Sequence, residues 1–196
     1  LSLISKSGGV TSFSQHDKLV FIRSLMFSEK NNMVVGVTNK GLLFGMRSGR
    51  LVFFEEYGDE NEAFKTACVT PEGEIIIGTS DEKIEMGVLE GGQFTIKSIR
   101  DIEGIRSVNK IIYDEASEEH FVCGEAGMGY LDKTFTYKAI TNDSFDASIS
   151  DAVRDYQGNV WFTSSKQGVM KLSKNPFLNV SVKASLGEHA INAITE

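Results

Sequence analysis

The hydrophobic pattern of this chain repeats. An apolar residue followed by a polar one opens a strand-like run at Ile22-Arg23-Ser24, Phe64-Lys65-Thr66, Val108-Asn109-Lys110, Ile149-Ser150-Asp151 and Ile191-Asn192-Ala193, at spacings of 42, 44, 41 and 42 residues. Four residues into the first four runs lies a further apolar position: Met26, Cys68, Ile112 and Val153. A polar turn follows at 28–32, 70–73, 114–117 and 155–159. A compact apolar strand comes next and ends in a small residue: Met33-Val34-Val35-Gly36, Ile75-Ile76-Ile77-Gly78, Phe121-Val122-Cys123-Gly124 and Val160-Trp161-Phe162-Thr163. A third strand is predicted to begin near Leu42, Glu85, Met128 and Val169. A fourth, amphipathic and rich in aromatics, is predicted at 51–57, 94–99, 135–139 and 178–182. No segment holds a 3.6-residue apolar period over three turns, so the pattern is all-β.

Four strands at a period in the low forties make a β-propeller blade. A twisted four-stranded sheet has two apolar faces and cannot bury both alone, so blades stack face to face around an axis. The predicted units are a partial blade at 1–21, blades at 22–63, 64–107, 108–148 and 149–190, and the start of another at 191–196. The partial blade reads as an outer half, because Leu1 stands 21 residues before Ile22, as Leu43 and Met170 do before their next starts. The expectation is about four complete antiparallel blades with partial ones at both ends. Closure into a small ring by the two ends, a segment of a larger ring and self-association of two copies all stay open. The opening Leu1 in place of Met reads as the trace of a longer parent.

Composition adds exclusions. A net charge of −7 argues against a nucleic-acid or anionic-membrane surface, which needs a basic patch. Nineteen glycines against two prolines suit many tight turns. Cys68 and Cys123 are too few for a disulfide scaffold, and each sits in an apolar run, so buried free thiols are expected. There is no run of 18 apolar residues, and hence no expected direct membrane insertion in this segment.

The fourth unit resembles the two-component regulator propeller repeat. Asp155-Tyr156-Gln157-Gly158-Asn159-Val160-Trp161-Phe162-Thr163 is similar to its Asp-x-x-Gly-Asn-Leu-Trp-Ile/Phe-Gly-Thr pattern, and Gln167-Gly168-Val169-Met170-Lys171-Leu172 to the strand that follows. Pro71-Glu72-Gly73-Glu74-Ile75-Ile76-Ile77-Gly78-Thr79 matches more loosely. The Asp–Gly pair suits a tight hairpin, with the carboxylate accepting backbone hydrogen bonds and Gly at positive φ. Trp161 offers surface for blade packing and an indole N–H that needs an acceptor. The resemblance implies a ring of about seven blades on the extracytoplasmic face of a bacterial membrane, in a histidine-kinase or diguanylate-cyclase sensor whose output domain lies elsewhere. It thus implies a sensor domain in signal transduction.

Candidate chemistry is sparse. His16, His120 and His189 form no ligand or catalytic spacing; His120 is read as a turn or flank residue, and His189 as a surface one. Asp143, Asp146, Asp151 and Asp155 lack the spacing of a calcium loop, so no metal and no cofactor are expected. Gly124–Gly129 leads into a strand rather than a helix and is no phosphate loop. What remains is a binding face. The entrances to the first strands (Arg23, Lys65, Asn109, Ser150, Asn192) and the loops between second and third strands (Asn39, Lys40, Asp81, Lys83, Ser165, Lys166) share one end of the blades. The reading is a non-enzymatic segment that binds a small molecule, a glycan or a protein partner. The alternatives are a propeller enzyme of the lyase or glycosidase kind with an axial site, and a bare scaffold.

Overall fold

The computed structural model describes residues 2–12, 19–56 and 64–173, and every regular element among them is a strand. A two-stranded antiparallel ribbon, β1 (Ser2–Ile4) and β2 (Val10–Ser12), comes first. The first blade is β3 (Ile22–Ser28), β4 (Met33–Thr38), β5 (Leu42–Arg47) and β6 (Arg50–Glu56). The second is β7 (Phe64–Val69), β8 (Ile75–Thr79), β9 (Lys83–Glu90) and β10 (Gln93–Asp101). The third is β11 (Val108–Asp114), β12 (Glu119–Gly124), β13 (Gly127–Leu131) and β14 (Tyr137–Ile140). The fourth shows β15 (Ile149–Arg154), β16 (Val160–Ser164) and β17 (Gly168–Leu172). Each sheet is an antiparallel meander in chain order, and the chain is a β-propeller with a partial further blade. The strands expected at 178–182 and from Ile191 lie outside the described residues.

All four observed strand starts fall on the residues that the repeat marks. The second strands do not align as their small residues suggest. Pairing opposes Ser24 to Val37, Thr66 to Gly78, Lys110 to Cys123 and Asp151 to Thr163, so Gly36 and Gly124 are not the counterparts of Gly78. The reason is the first hairpin. The loop spans 29–32 and 115–118 in the first and third blades, but only 71–73 and 156–158 in the second and fourth. The extra residue is accompanied by left-handed backbone at Asn32 (φ 47°) and Glu118 (φ 55°). A second correction concerns the fourth strand expected at 135–139. It begins at Tyr137, because Phe135 sits in the turn at φ 55° with its N–H on the Asp132 carbonyl at 2.8 Å.

With this register the faces are consistent. The four-residue-in positions pair with Val35, Ile76, Phe121 and Trp161, and this set faces the following blade. The set one residue further, Gly36, Ile77, Val122 and Phe162, faces the preceding one. Three apolar clusters result, one between each consecutive pair of blades: Val35 and Phe53 against Phe64 and Ile77; Cys68 and Ile76 against Val108 and Val122; Phe121 and Cys123 against Ile149 and Phe162. Side chains also reach across at about one repeat: Ser24 Oγ donates to the Ala67 carbonyl (3.0 Å), Asn31 Nδ2 to that of Gly73 (3.2 Å), and Asn109 Nδ2 to that of Ile149 (2.9 Å). Arg154 pairs with Asp114 between the third and fourth blades.

Cys68 and Cys123 are free and fully buried in these interfaces, where burial pushes both thiols up to about 12. Neither is a thiolate at mildly alkaline pH. Iodoacetamide labelling followed by mass spectrometry is therefore expected to leave both unmodified in the folded chain and to modify both in urea. Fast labelling without denaturant would contradict the packing described.

Candidate functional site

At the entrance to every inner strand the register slips by one residue, between Ile22 and Ser24, Phe64 and Thr66, Val108 and Lys110, and Ile149 and Asp151. The extra residues in these four β-bulges are Arg23, Lys65, Asn109 and Ser150. A bulge bends its strand and re-aims the side chain it carries. The four strand-entrance candidates among the described residues thus occupy one repeated backbone feature. Asn192 lies outside them.

The bulges share their end of the blades with the loops between second and third strands. A hydroxyl at the end of the second strand holds three of these loops. Thr38 Oγ1 accepts from the N–H of Lys40 and of Leu42 (both 3.3 Å). Thr79 Oγ1 donates to the Lys83 carbonyl (3.0 Å) and bonds Asp81. Ser164 Oγ accepts from the N–H of Lys166 and Gln167 (both 3.1 Å) while donating to the Ala147 carbonyl at 2.6 Å. The third blade has Gly124 instead. A Cβ there would run into Ile105 and lie 2.7 Å from the Ser107 carbonyl, because the 102–107 linker crosses it.

The candidates differ in how engaged they are. Asn109 uses its amide on the next blade, and Ser150 Oγ donates to the Ser148 carbonyl (3.2 Å). Lys83 pairs with Asp81 at 2.6 Å; although partial burial opposes it, the bonds from Lys83 and Thr79 hold the Asp81 carboxyl below its usual range. Asn39 is half-buried, and the backbone N–H of Ser165 bonds the Ser148 carbonyl. Arg23, Lys40 and Lys166 are exposed and Lys65 is half-buried, and among the described residues these four cations have no ion-pair partner. The same loops carry Glu82 and Glu125, both exposed, so the cationic feature of this end is the pair Arg23 and Lys65 at the entrances of adjacent blades.

The opposite end carries the hairpins between first and second strands. Asp155 Oδ1 accepts the N–H of Gln157 and of Asn159 (both 2.9 Å), and its Oδ2 accepts the Trp161 indole N–H at 2.8 Å. Gly158 stands at φ 86°. The turn geometry read from the sequence is the one observed. The indole bond and the Asn159 bonds hold the Asp155 carboxyl below its usual range. Trp161 is half-buried on the face directed to a following blade, with Lys171 Nζ 5.2 Å from a ring centroid.

His120 requires a correction. It is not a turn or flank residue but lies within β12, 3% exposed, opposite Tyr113. The longer hairpin of the third blade moves β12 by one residue relative to its apparent alignment. His120 thereby takes the position held by Val34, Ile75 and Val160 in the other blades, facing the preceding blade. Among the described residues no three His, Cys, Asp or Glu side chains converge in a way that could hold a metal ion.

No family model matches the chain, and no curated protein matches it. Solved structures do. The extracellular domain of the one component system BT4673 from B. thetaiotaomicron superposes with a TM-score of 0.65 at 18% identity, over 93% of this chain and 26% of that one. The WD40 β-propeller domain of Doa1 gives 0.64 at 16% identity, over 79% and 51%, and the β-propeller domain of Myceliophteria thermophila Cps50 (Swd1) gives 0.60 at 10% identity, over 76% and 52%. This chain spans about half the length of the Doa1 and Cps50 propeller domains and about a quarter of the BT4673 domain. At these identities the likeness establishes the propeller fold rather than a particular repeat family.

Proposed function

We infer that this chain is a non-catalytic binding segment of an extracytoplasmic bacterial signalling receptor, and that its ligand or partner presents an anionic group to the bulge end of the blades. The observation that carries the reading is the repeated bulge, which sets Arg23 and Lys65 at equivalent points of adjacent blades with no carboxylate of the described residues paired to either. Loops fixed on a rigid scaffold are where binding residues concentrate. The likeness to an extracellular sensor domain supports the receptor assignment, and the likeness to WD40 domains supports docking as the mode of action.

The test is differential scanning fluorimetry against a panel of neutral and uronic-acid oligosaccharides and small carboxylates. A ligand at about a hundred times its Kd stabilises a fold by about 2.7 kcal/mol, enough for a clear rise in Tm. At least one acidic compound is expected to give such a rise, and Arg23→Ala/Lys65→Ala is expected to abolish it without lowering the ligand-free Tm. Stabilisation only by neutral compounds, or a shift that survives in the double variant, would contradict the reading.

A further inference from the structure

Between the second and third blades, at the end opposite the bulges, a cleft of about 410 Å³ opens. The second blade contributes its first hairpin, with Thr70, Glu72 and Glu74. The third contributes β11, β12 and the turn before β14, and its deepest polar group is His120. Both imidazole nitrogens of His120 are buried, with no hydrogen-bond partner among the described residues. A buried polar group left unsatisfied costs about 1–3 kcal/mol, so such groups are rare and call for an explanation. The equivalent residues Val34, Ile75 and Val160 show that this position needs no polar side chain to build a blade.

The surroundings indicate what the imidazole meets. Its ring lies in a row of aromatics, 4.9 Å from Tyr113 and 5.5 Å from Phe135, the latter nearly parallel at 28°. Phe135 holds this place from a left-handed backbone conformation that a bulky residue rarely adopts, a kind of strain that clusters at binding sites. The charges on the cleft are mostly negative. Lys133, the one cation among its described lining residues, is bound to Glu118 at 2.5 Å, and Asp132 is taken up by the N–H of Thr134 (2.9 Å) and of Thr136 (3.1 Å) and by Lys138 (3.0 Å). Among the described residues Glu72 and Glu74 have no ion-pair partner.

The geometry points to a second binding site here, for an organic cation with N–H donors, a guanidinium or primary ammonium carried on a short apolar stem. The stem lies along the aromatic row, Glu72 and Glu74 neutralise the charge, and a ring nitrogen of His120 accepts an N–H from the cation. Burial pushes the His120 imidazole down to about 4, against the pull of Glu72, so at neutral pH it is uncharged and has a lone pair to offer. Such a group arrives either as a free small amine or as an arginine or lysine side chain of a protein partner.

The test follows the His120 ring resonances by NMR during titration with three probes. These are butylguanidinium, the uncharged butylurea of matching shape, and a blocked Gly-Arg-Gly tripeptide. Butylguanidinium, the tripeptide or both are expected to shift the His120 signals saturably while butylurea does not, and the tighter of the two cationic probes identifies the source. Glu72→Gln/Glu74→Gln is expected to weaken the binding about tenfold. His120→Phe, which preserves the ring row and removes the unsatisfied nitrogens, is expected to keep or raise the Tm and lose binding, followed then by the Tyr113 ring signals. Unmoved His120 signals with both cationic probes, an equal response to butylurea, or undiminished affinity in the Glu72/Glu74 variant would each overturn the assignment.

Discussion

Phe162→Ala is expected to destabilise the chain by about 3–5 kcal/mol, the usual cost of truncating a buried phenylalanine. Phe162 is fully buried between the third and fourth blades, edge-on to Phe121 with ring centroids 5.9 Å apart and planes at 76°. Both side chains project from second strands, Phe121 from β12 and Phe162 from β16. Two hydrogen-bonded sheets cannot collapse into the space left behind, so the cavity persists. Urea unfolding should show the midpoint falling at unchanged m-value. Val169, on the opposite face of the same blade and 61% exposed, is the control: Val169→Ala should stay within about 0.5 kcal/mol. Equal effects from the two substitutions would contradict the stacking.

The second large effect is acid destabilisation through His120. Its folded-state pKa of about 4 lies below the ordinary 6.5, first because burial penalises the charged ring and despite Glu72, which favours it. Between those values the unfolded chain binds a proton that the folded chain refuses. Stability from this residue is therefore complete above 6.5, is lost as pH falls toward 4, and amounts to at most about 3 kcal/mol. The charged and titratable groups around it are Glu72 and Glu74 from the second blade and Tyr113, Glu118, Asp132 and Lys133 from the third. Asp81, Asp114, Asp132 and Asp155 are held below the ordinary 3.8, so their own losses set in only as the unfolded carboxyls begin to protonate, at about pH 5, and overlap just the acid end of this window. Stability measured by urea titration across pH should decline between 6.5 and 4 in the parent chain. His120→Phe should flatten that decline above about pH 5, and a variant with the parent's slope there would contradict the burial described.

The blade count and the strand starts were legible in the sequence because each start pairs an apolar residue with a polar one that the structure turns into a bulge. A bulge residue needs no apolar partner, so the polar position persists in all four described repeats, after an apolar residue that is buried in three of them (Phe64, Val108 and Ile149). Asp155, Gly158 and Trp161 were legible for a similar reason: a carboxylate that caps a hairpin and binds an indole leaves a local signature. The second strands were not. Small residues at Gly36, Gly78 and Gly124 give an attractive alignment, yet one extra hairpin residue in alternate blades shifts the true pairing. In a strand that slip exchanges the two faces. It hid the inward place of His120, which reads as a flank residue only while Phe121 is taken as the first residue of its strand. The unpaired state of Arg23 and Lys65 was equally invisible, since it depends on where carboxylates from other blades come to lie.

All of this rests on consecutive blades packing through Val35, Ile76 and Phe121 on one side and Ile77, Val122 and Phe162 on the other. The most direct measurement is a double-mutant cycle on Phe121 and Phe162, which no hydrogen-bonded strand pair connects. With Phe121→Leu, Phe162→Leu and the double variant unfolded in urea, a coupling of about 0.5–1.5 kcal/mol is expected from their edge-to-face contact. Additivity to within about 0.3 kcal/mol would contradict it.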